Sequence, residues 1–106
     1  MKTNTSDKRV RVLKAMAHTS RLAMLEALAD GEKCVCELQK LVGSDISTVS
    51  KHLALMKAAG LVMDRKEGLW VHYRLRVPCV LRFMDCIEAV LEGETVKAGR
   101  ASCSQT

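Results

Sequence analysis

Two cysteines separated by a single residue, Cys34 and Cys36, stand in the charged stretch GEKCVCEL. As thiolates they are ligands for soft ions rather than for Mg²⁺ or Ca²⁺. Both fall at the start of a predicted helix, where the helix dipole and Lys33 favour the thiolate while the neighbouring glutamates partly oppose it. The pattern indicates a site for a soft ion, and a pair of small half-buried packing residues is the plainer alternative.

Length, charge and hydropathy limit the compartment in which the protein can reside and the partners that it can bind. The 106 residues suffice for one domain, and the net charge of +5 favours an acidic partner, with nucleic acid first. The opening MKTNTSDKRVRV lacks the apolar core of a signal peptide, and no apolar run is long enough to span a membrane. We therefore expect a cytoplasmic protein without a membrane partner.

The cysteine count supports a thiol function without indicating an enzyme. Five cysteines in a reducing compartment suggest reactive or metal-binding thiols rather than a disulfide framework. There is no CxxC motif, and no cysteine has an evident base partner with an oxyanion hole. We expect a non-enzyme with no organic cofactor.

Helical spacing of apolar residues predicts four helices in the first part of the chain, over residues 8–17, 20–30, 33–42 and 46–59. Thr19 or Ser20 is the expected N-cap of the second helix, and Asp45 can cap the fourth. The expected inward residues of the third and fourth helices are Val35, Leu38, either Leu41 or Val42, Ile46, Val49, Leu53 and Met56.

A period of two in LVMDRKEGLWVHYRL then predicts a β-hairpin with its tip at residues 65–68. Leu69, Val71, Tyr73 and Leu75 alternate with Trp70, His72 and Arg74 and fall on one face of that hairpin. A last helix is predicted over residues 78–91, with one narrow polar stripe. The rest of its surface is too apolar for an exposed terminal helix, so it is expected to pack on a second copy of the chain.

Two short helices joined by a glycine-containing turn and followed by a basic hairpin describe a winged helix-turn-helix, mainly α with a small β-hairpin. The fourth helix is then the recognition helix. Short donors and acceptors with nearby cations suit base edges and phosphates, although a solvated face is the alternative. The candidate DNA contacts are Ser47, Thr48, Ser50, Lys51 and His52 on this helix and Arg65 and Lys66 on the wing.

The run DISTVSKHLALMKAAGLVMDRKEGLWVHYRL resembles the recognition helix and wing of the ArsR/SmtB family, and LKAMAHTSRLAMLEAL resembles that family's first two helices. The resemblance covers about residues 8–92, between a flexible N-terminus (1–7) and a flexible tail (93–106). It implies a homodimeric repressor that sits on double-stranded operator DNA and leaves when a metal or metalloid binds or thiols oxidise. Ile46 departs from the pattern, because many members have Gln there.

KCVCEL resembles the inducer site of the family members that sense arsenite or antimonite, which implies Cys34 and Cys36 as ligands of As(III) or Sb(III). A third thiolate is required, and Gln39 stands where the best-known arsenite sensors carry it. Cys103 is the preferred third ligand, with Cys79 second. The alternative is a repressor of the same fold that responds to thiol oxidation or to Cd or Pb.

Helix geometry adds a mechanistic expectation. Residues i and i+2 of a regular helix point about 200° apart. Cys34 and Cys36 can therefore bind one ion only if the first turn unwinds or Cys34 lies outside the helix. We expect binding to deform the third helix and so to misplace the recognition helix.

Overall fold

The structure is a computed structural model that describes residues 4–93. Its elements in chain order are α1 (Asn4–Met16), α2 (Thr19–Ala27), a short 3-10 helix (Leu28–Asp30), β1 (Lys33–Cys34), α3 (Val35–Val42), α4 (Ile46–Ala58), β2 (Val62–Glu67), β3 (Trp70–Leu75) and α5 (Val80–Leu91). Helices dominate, and the strands form one small antiparallel sheet. The predicted fold class is confirmed.

One hydrophobic core joins the helices to the inner face of the sheet. Its most deeply buried side chains are Met24, Leu25, Leu38, Val49, Leu53, Met56 and Val62. The buried face predicted for α4 is confirmed except at Ile46, which is 45% exposed because it begins the helix at the margin of the core. In α3, Val42 packs against the core while Leu41 is 52% exposed, which decides between the two predicted alternatives.

The sheet contains a strand that the sequence did not predict. The third helix was expected from Lys33 but begins at Val35. Lys33 and Cys34 instead form β1 and pair with Tyr73 and His72 of β3, which lies between β1 and β2. A strand of two residues shows no periodicity, and its partner is distant in the chain, so no local pattern predicts it.

The hairpin of β2 and β3 also turns later than predicted. β2 continues through Glu67, which pairs with Trp70, so the tip is Gly68 and Leu69 rather than residues 65–68. Leu69, expected on the same strand face as Val71, therefore lies in the turn and is 99% exposed. Gly68 has φ of 63°, the left-handed backbone that a two-residue hairpin loop requires at its first position. The wing cations expected at the tip therefore lie along strand β2.

The helix starts differ from prediction at two places. α1 begins at Asn4, within the segment that was expected to precede the folded domain. α2 is capped by His18 rather than by Thr19 or Ser20, since the His18 Nδ1 atom accepts a hydrogen bond of 3.0 Å from the Ser20 N–H. The Nδ1 atom of His18 thus takes the place of the side-chain oxygen that usually caps a helix.

Apolar side chains of α1 and α5 remain exposed in the single chain. Val10 and Leu13 of α1 and Phe83 and Ile87 of α5 are each 41–48% exposed. Such surface is typical of a contact between subunits, in agreement with the expectation for the last helix. None of the helices within residues 4–93 combines the length and the apolar character that a membrane crossing requires.

Candidate DNA interface and thiol site

The start of α4 presents short polar side chains and one cation. Ser47, Ser50 and Lys51 are exposed, and Thr48 is half-buried. Asp45 is the N-cap, and its Oδ2 atom accepts a hydrogen bond of 3.0 Å from the Ser47 hydroxyl. Hydrogen bonds from the Thr48 and Ser47 hydroxyls lower the pKa of the Asp45 carboxyl. The exposed set has the composition of a helix end that contacts base edges and phosphate.

The orientation of His52 differs from the outward one that was expected. Its Nδ1 atom lies 2.9 Å from Nη1 of Arg21, and its ring centroid is 4.4 Å from that of His18. Arg21 also donates hydrogen bonds of 2.7 Å to the Ala15 carbonyl and 3.2 Å to the Lys14 carbonyl, in the last turn of α1. Burial and the nearby charges of His18 and Arg21 lower the pKa of His52. His52 thus links α4 to α1 and α2.

The two predicted wing cations have different surroundings. Arg65 donates from Nη2 and Nε to the two carboxylate oxygens of Glu32, at 2.6 and 3.1 Å, and from Nη1 to Glu67 at 3.2 Å. These hydrogen bonds lower the pKa of Glu32 and raise that of Arg65. Lys66 lies on the other face of β2 and forms no ion pair with any residue between 4 and 93.

The thiols lie at the junction of β1 and α3. Cys34 is half-buried and is the N-cap of α3, with extended backbone, and Cys36 is exposed in the first turn. The Cys34 N–H donates a hydrogen bond of 2.9 Å to Glu37 Oε1, and the Cys34 sulfur accepts one from the Glu37 N–H. Hydrogen bonds to the Glu37 carboxyl, from the Cys34 backbone N–H first and from the Cys34 side chain second, lower the pKa of that carboxyl. Both thiols are free.

This placement decides between the two routes by which the thiols could share one ion. Cys34 lies outside the helix, as the N-cap of α3 and part of β1, so the opposed directions of residues i and i+2 within a regular helix do not apply to the pair. The deformation of α3 on ion binding stays a prediction. The pair of soft donors, one half-buried and one exposed, fits a thiophilic ion in the kind of atoms that it offers.

A third ligand does not come together with this pair in the described part of the chain. Across residues 4–93, no three His, Cys, Asp or Glu side chains converge on a point suited to a metal ion. Cys79 is exposed and free at the N-cap of α5. Cys103, like the rest of the predicted tail after residue 93, lies outside the described residues.

Sequence reasoning missed the residues that join these regions. Glu32 holds Arg65, and Arg21 holds His52, across separations of 33 and 31 residues. Charged residues far apart in sequence give no local signal of pairing. The only hint in the sequence is that the two residues carry opposite charges: Glu32 precedes the thiols, and Arg65 lies in a basic hairpin.

The model for "Bacterial regulatory protein, arsR family" matches residues 18–64, which include the thiols, α4 and the start of β2. The chain is 33% identical to a homodimeric winged helix-turn-helix DNA-binding domain from Mycobacterium bovis, a possible ArsR-family regulator solved in solution. That match has a TM-score of 0.75 and covers 89% of this chain and 91% of the other. The chain belongs to the arsR family. Members of this family are DNA-binding transcription regulators and not enzymes.

Two further proteins that are similar to this arsR-family chain are named for arsenic or antimony. The arsenical resistance operon repressor of Escherichia coli is 42% identical over 67 residues, or 62% of this chain, and the chain spans only 57% of that repressor's length. The crystal structure of AntR, an antimony-specific transcriptional repressor, is similar with a TM-score of 0.72 and 30% identity. That match covers 87% of this chain and 84% of AntR.

Proposed function

We propose that this arsR-family chain is a cytoplasmic transcriptional repressor that binds operator DNA as a homodimer and is released when its thiolates bind As(III) or Sb(III). The observation that carries the proposal is the position of Cys34 and Cys36 between β1, part of the wing sheet, and α3, which packs directly on α4. Relatives named for arsenic and antimony support this choice of inducer.

On the DNA side, α4 is proposed to enter the major groove with its first two turns. Ser47, Thr48 and Ser50 then face base edges, and Lys51 and Lys66 contact phosphates. His52, which we had placed among the direct contacts, is better suited to fixing the angle of α4 through Arg21. Apolar side chains of α1 and α5 support the dimer, which doubles these contacts over two half-sites.

On the inducer side, Cys34 and Cys36 are the proposed ligands, with Cys103 as the third and Cys79 as the alternative. The ion supplies a soft centre that favours thiolate over oxygen ligands. The chain is proposed to respond to the ion through a shift of its backbone. A change in the backbone at Cys34 moves β1 relative to β3 and moves the start of α3 relative to α4, so one event reaches both DNA-contacting elements.

The test is an anisotropy titration of the full-length dimer on an operator duplex selected from a random-sequence pool. Arsenite, antimonite, Cd²⁺, Zn²⁺ and peroxide are added separately at fixed salt, since salt alone changes the affinity. Arsenite and antimonite should release the wild-type protein. Cys34→Ser, Cys36→Ser and Cys103→Ser should bind DNA normally without releasing. Cys79→Ser should release as wild type does, which separates the two candidates for the third ligand.

The outcomes separate the parts of the proposal. Failure of the wild-type protein to bind any selected duplex overturns the repressor function itself. Release by peroxide alone, or by Cd²⁺ but not arsenite, identifies the thiol-redox or Cd/Pb-responsive alternative. An unchanged response in Cys103→Ser, together with a lost response in Cys79→Ser, overturns Cys103 as the third ligand.

A further inference from the structure

Arg65 is surrounded by carboxylates in a way that its position in a basic hairpin does not suggest. All three nitrogens of its guanidinium donate hydrogen bonds, two to Glu32 and one to Glu67. The Glu32 contact is bidentate, which is the geometry that gives arginine–carboxylate pairs their specificity. Two carboxylates thus engage all the nitrogens of one guanidinium, and His72 Nε2 lies 3.5 Å from the same Glu67 oxygen that Arg65 contacts.

The pairing follows from the register of the sheet. Arg65 lies opposite His72, and His72 lies opposite Cys34 on its other side, so these three residues form one row across the strands. Side chains in such a row share a face, and so do residues two apart along a strand. Glu32 directly precedes β1, and its carboxylate meets the Arg65 guanidinium. Formation of β1 is what brings this carboxylate to the wing.

A DNA phosphate would compete for the same donors. Guanidinium groups bind phosphate in the same bidentate manner as they bind carboxylate. The Arg65 and Glu32 side chains are 48% and 29% exposed, so solvent and a phosphate oxygen both have access to the pair. Exposed ion pairs contribute little net stability, and the exchange of one anion for another is therefore accessible.

We infer that Glu32 is an intramolecular competitor of DNA phosphate for Arg65, so that the segment that carries the thiols sets the affinity of the wing for DNA. The inference rests on the proposed DNA-binding function. It distinguishes the two wing cations: Lys66 contacts phosphate directly, whereas Arg65 does so only after it leaves Glu32. Phosphate contacts carry no sequence information, so the effect extends to any duplex.

The experiment uses the full-length, reduced dimer without inducer, so that it is independent of ligand binding at the thiols. The probe is a fluorescein-labelled mixed-sequence duplex of about 30 base pairs, long enough for two half-sites one turn apart. Affinity is measured by anisotropy between about 50 and 200 mM salt for wild type, Glu32→Gln, Arg65→Gln and the double variant. Asp30→Asn removes the same charge two residues away, at an exposed side chain with no ion pair within residues 4–93, and is the matched control.

Glu32→Gln should bind about three- to tenfold more tightly per protomer at low salt, with a salt slope steeper by about one per protomer, because one more phosphate contact forms. Asp30→Asn should change the affinity much less. The gain should disappear when Glu32→Gln is combined with Arg65→Gln, which a general charge effect would not do.

Equal affinities of Glu32→Gln and wild type, or the same gain with and without Arg65, would overturn the inference. A wild-type protein that binds no duplex at all contradicts the proposed function instead, so the two failures are distinguishable.

Discussion

The starts of α3 and α4 are similar in local design and different in what holds them. Each has an N-cap with extended backbone, Cys34 with ψ of 165° and Asp45 with ψ of 163°. Cys34 also belongs to strand β1 and is paired with His72 of the wing. Asp45 belongs to no strand, and its carboxyl accepts hydrogen bonds from Ser47 and Thr48 of its own helix.

Under the proposed function, this difference separates a sensing end from a DNA-reading end. No strand pairs with the start of α4 within residues 4–93, and its proposed DNA contacts Ser47, Ser50 and Lys51 are exposed. The start of α3 is tied both to the wing and, through packing, to α4, so it is suited to transmitting a change. Cys34 thus belongs both to the sheet that contains the wing and to the start of the helix that packs on α4, the two elements proposed to contact DNA.

The largest expected effect concerns how α3 is held on α4. Leu38 has no exposed area, whereas Leu41 of the same helix is 52% exposed. Leu38→Ala should lower the free energy of unfolding by about 2–5 kcal/mol, because a buried cavity forms. Leu41→Ala, the matched control, should change it by less than about 0.5 kcal/mol. Urea denaturation at one protein concentration measures both, since a dimer's stability depends on concentration.

Similar losses for the two leucine variants would mean that α3 is not seated on α4 through Leu38. The proposed transmission of a shift from the thiols through α3 to the recognition helix would then lose its support. The two helix starts would differ only in the side chains that they carry.

A second, smaller effect separates the two helix starts by function. Glu37→Gln removes a negative charge beside the thiols, which should speed their reaction with a disulfide reagent at neutral pH by about two- to fivefold. Asp45→Asn removes a negative charge at the proposed DNA face, which should tighten binding to a mixed-sequence duplex by a similar factor. Thiol kinetics and anisotropy are measured on both variants.

Each variant should change only its own measurement, and each therefore serves as the control for the other. If Asp45→Asn accelerated the thiols as much as Glu37→Gln does, the two starts would be electrostatically coupled. The division into a sensing end and a reading end would then be wrong.

The smallest effect concerns pH and the link between α4 and the first two helices. Burial holds the pKa of His52 below its ordinary value of 6.5, so the unfolded chain binds more protons between the two pKa values. The stability contributed by neutral His52 is complete above about pH 6.5 and is lost as pH falls through the lowered pKa. His52→Gln keeps an acceptor for Arg21 and should flatten this part of the curve of melting temperature against pH.

A curve with the same slope in His52→Gln and wild type would contradict this origin of the acid sensitivity. His18→Gln, which alters the ring beside that of His52, is the variant to compare.

Sequence periodicity predicted most of the elements and the buried face of α4 for a physical reason that Val49, Leu53 and Met56 illustrate. They recur at helical spacing, and each is fully buried. Helical spacing determines which side of an element meets the core, whatever the core consists of. Ile46 shows the limit, because it continues the same spacing but lies where the core has ended.

Residue types and their spacing were enough to predict an arsR-family winged helix-turn-helix, a closely spaced pair of thiols and the polar start of α4. Three-dimensional packing was needed to place Cys34 in a strand, His52 beside Arg21, and Glu32 in an ion pair with Arg65. Spacing along the chain is a local property, so helices and closely spaced thiols can be recognised from it directly. Pairing between segments more than thirty residues apart depends on how the whole core packs, and no local pattern contains that information.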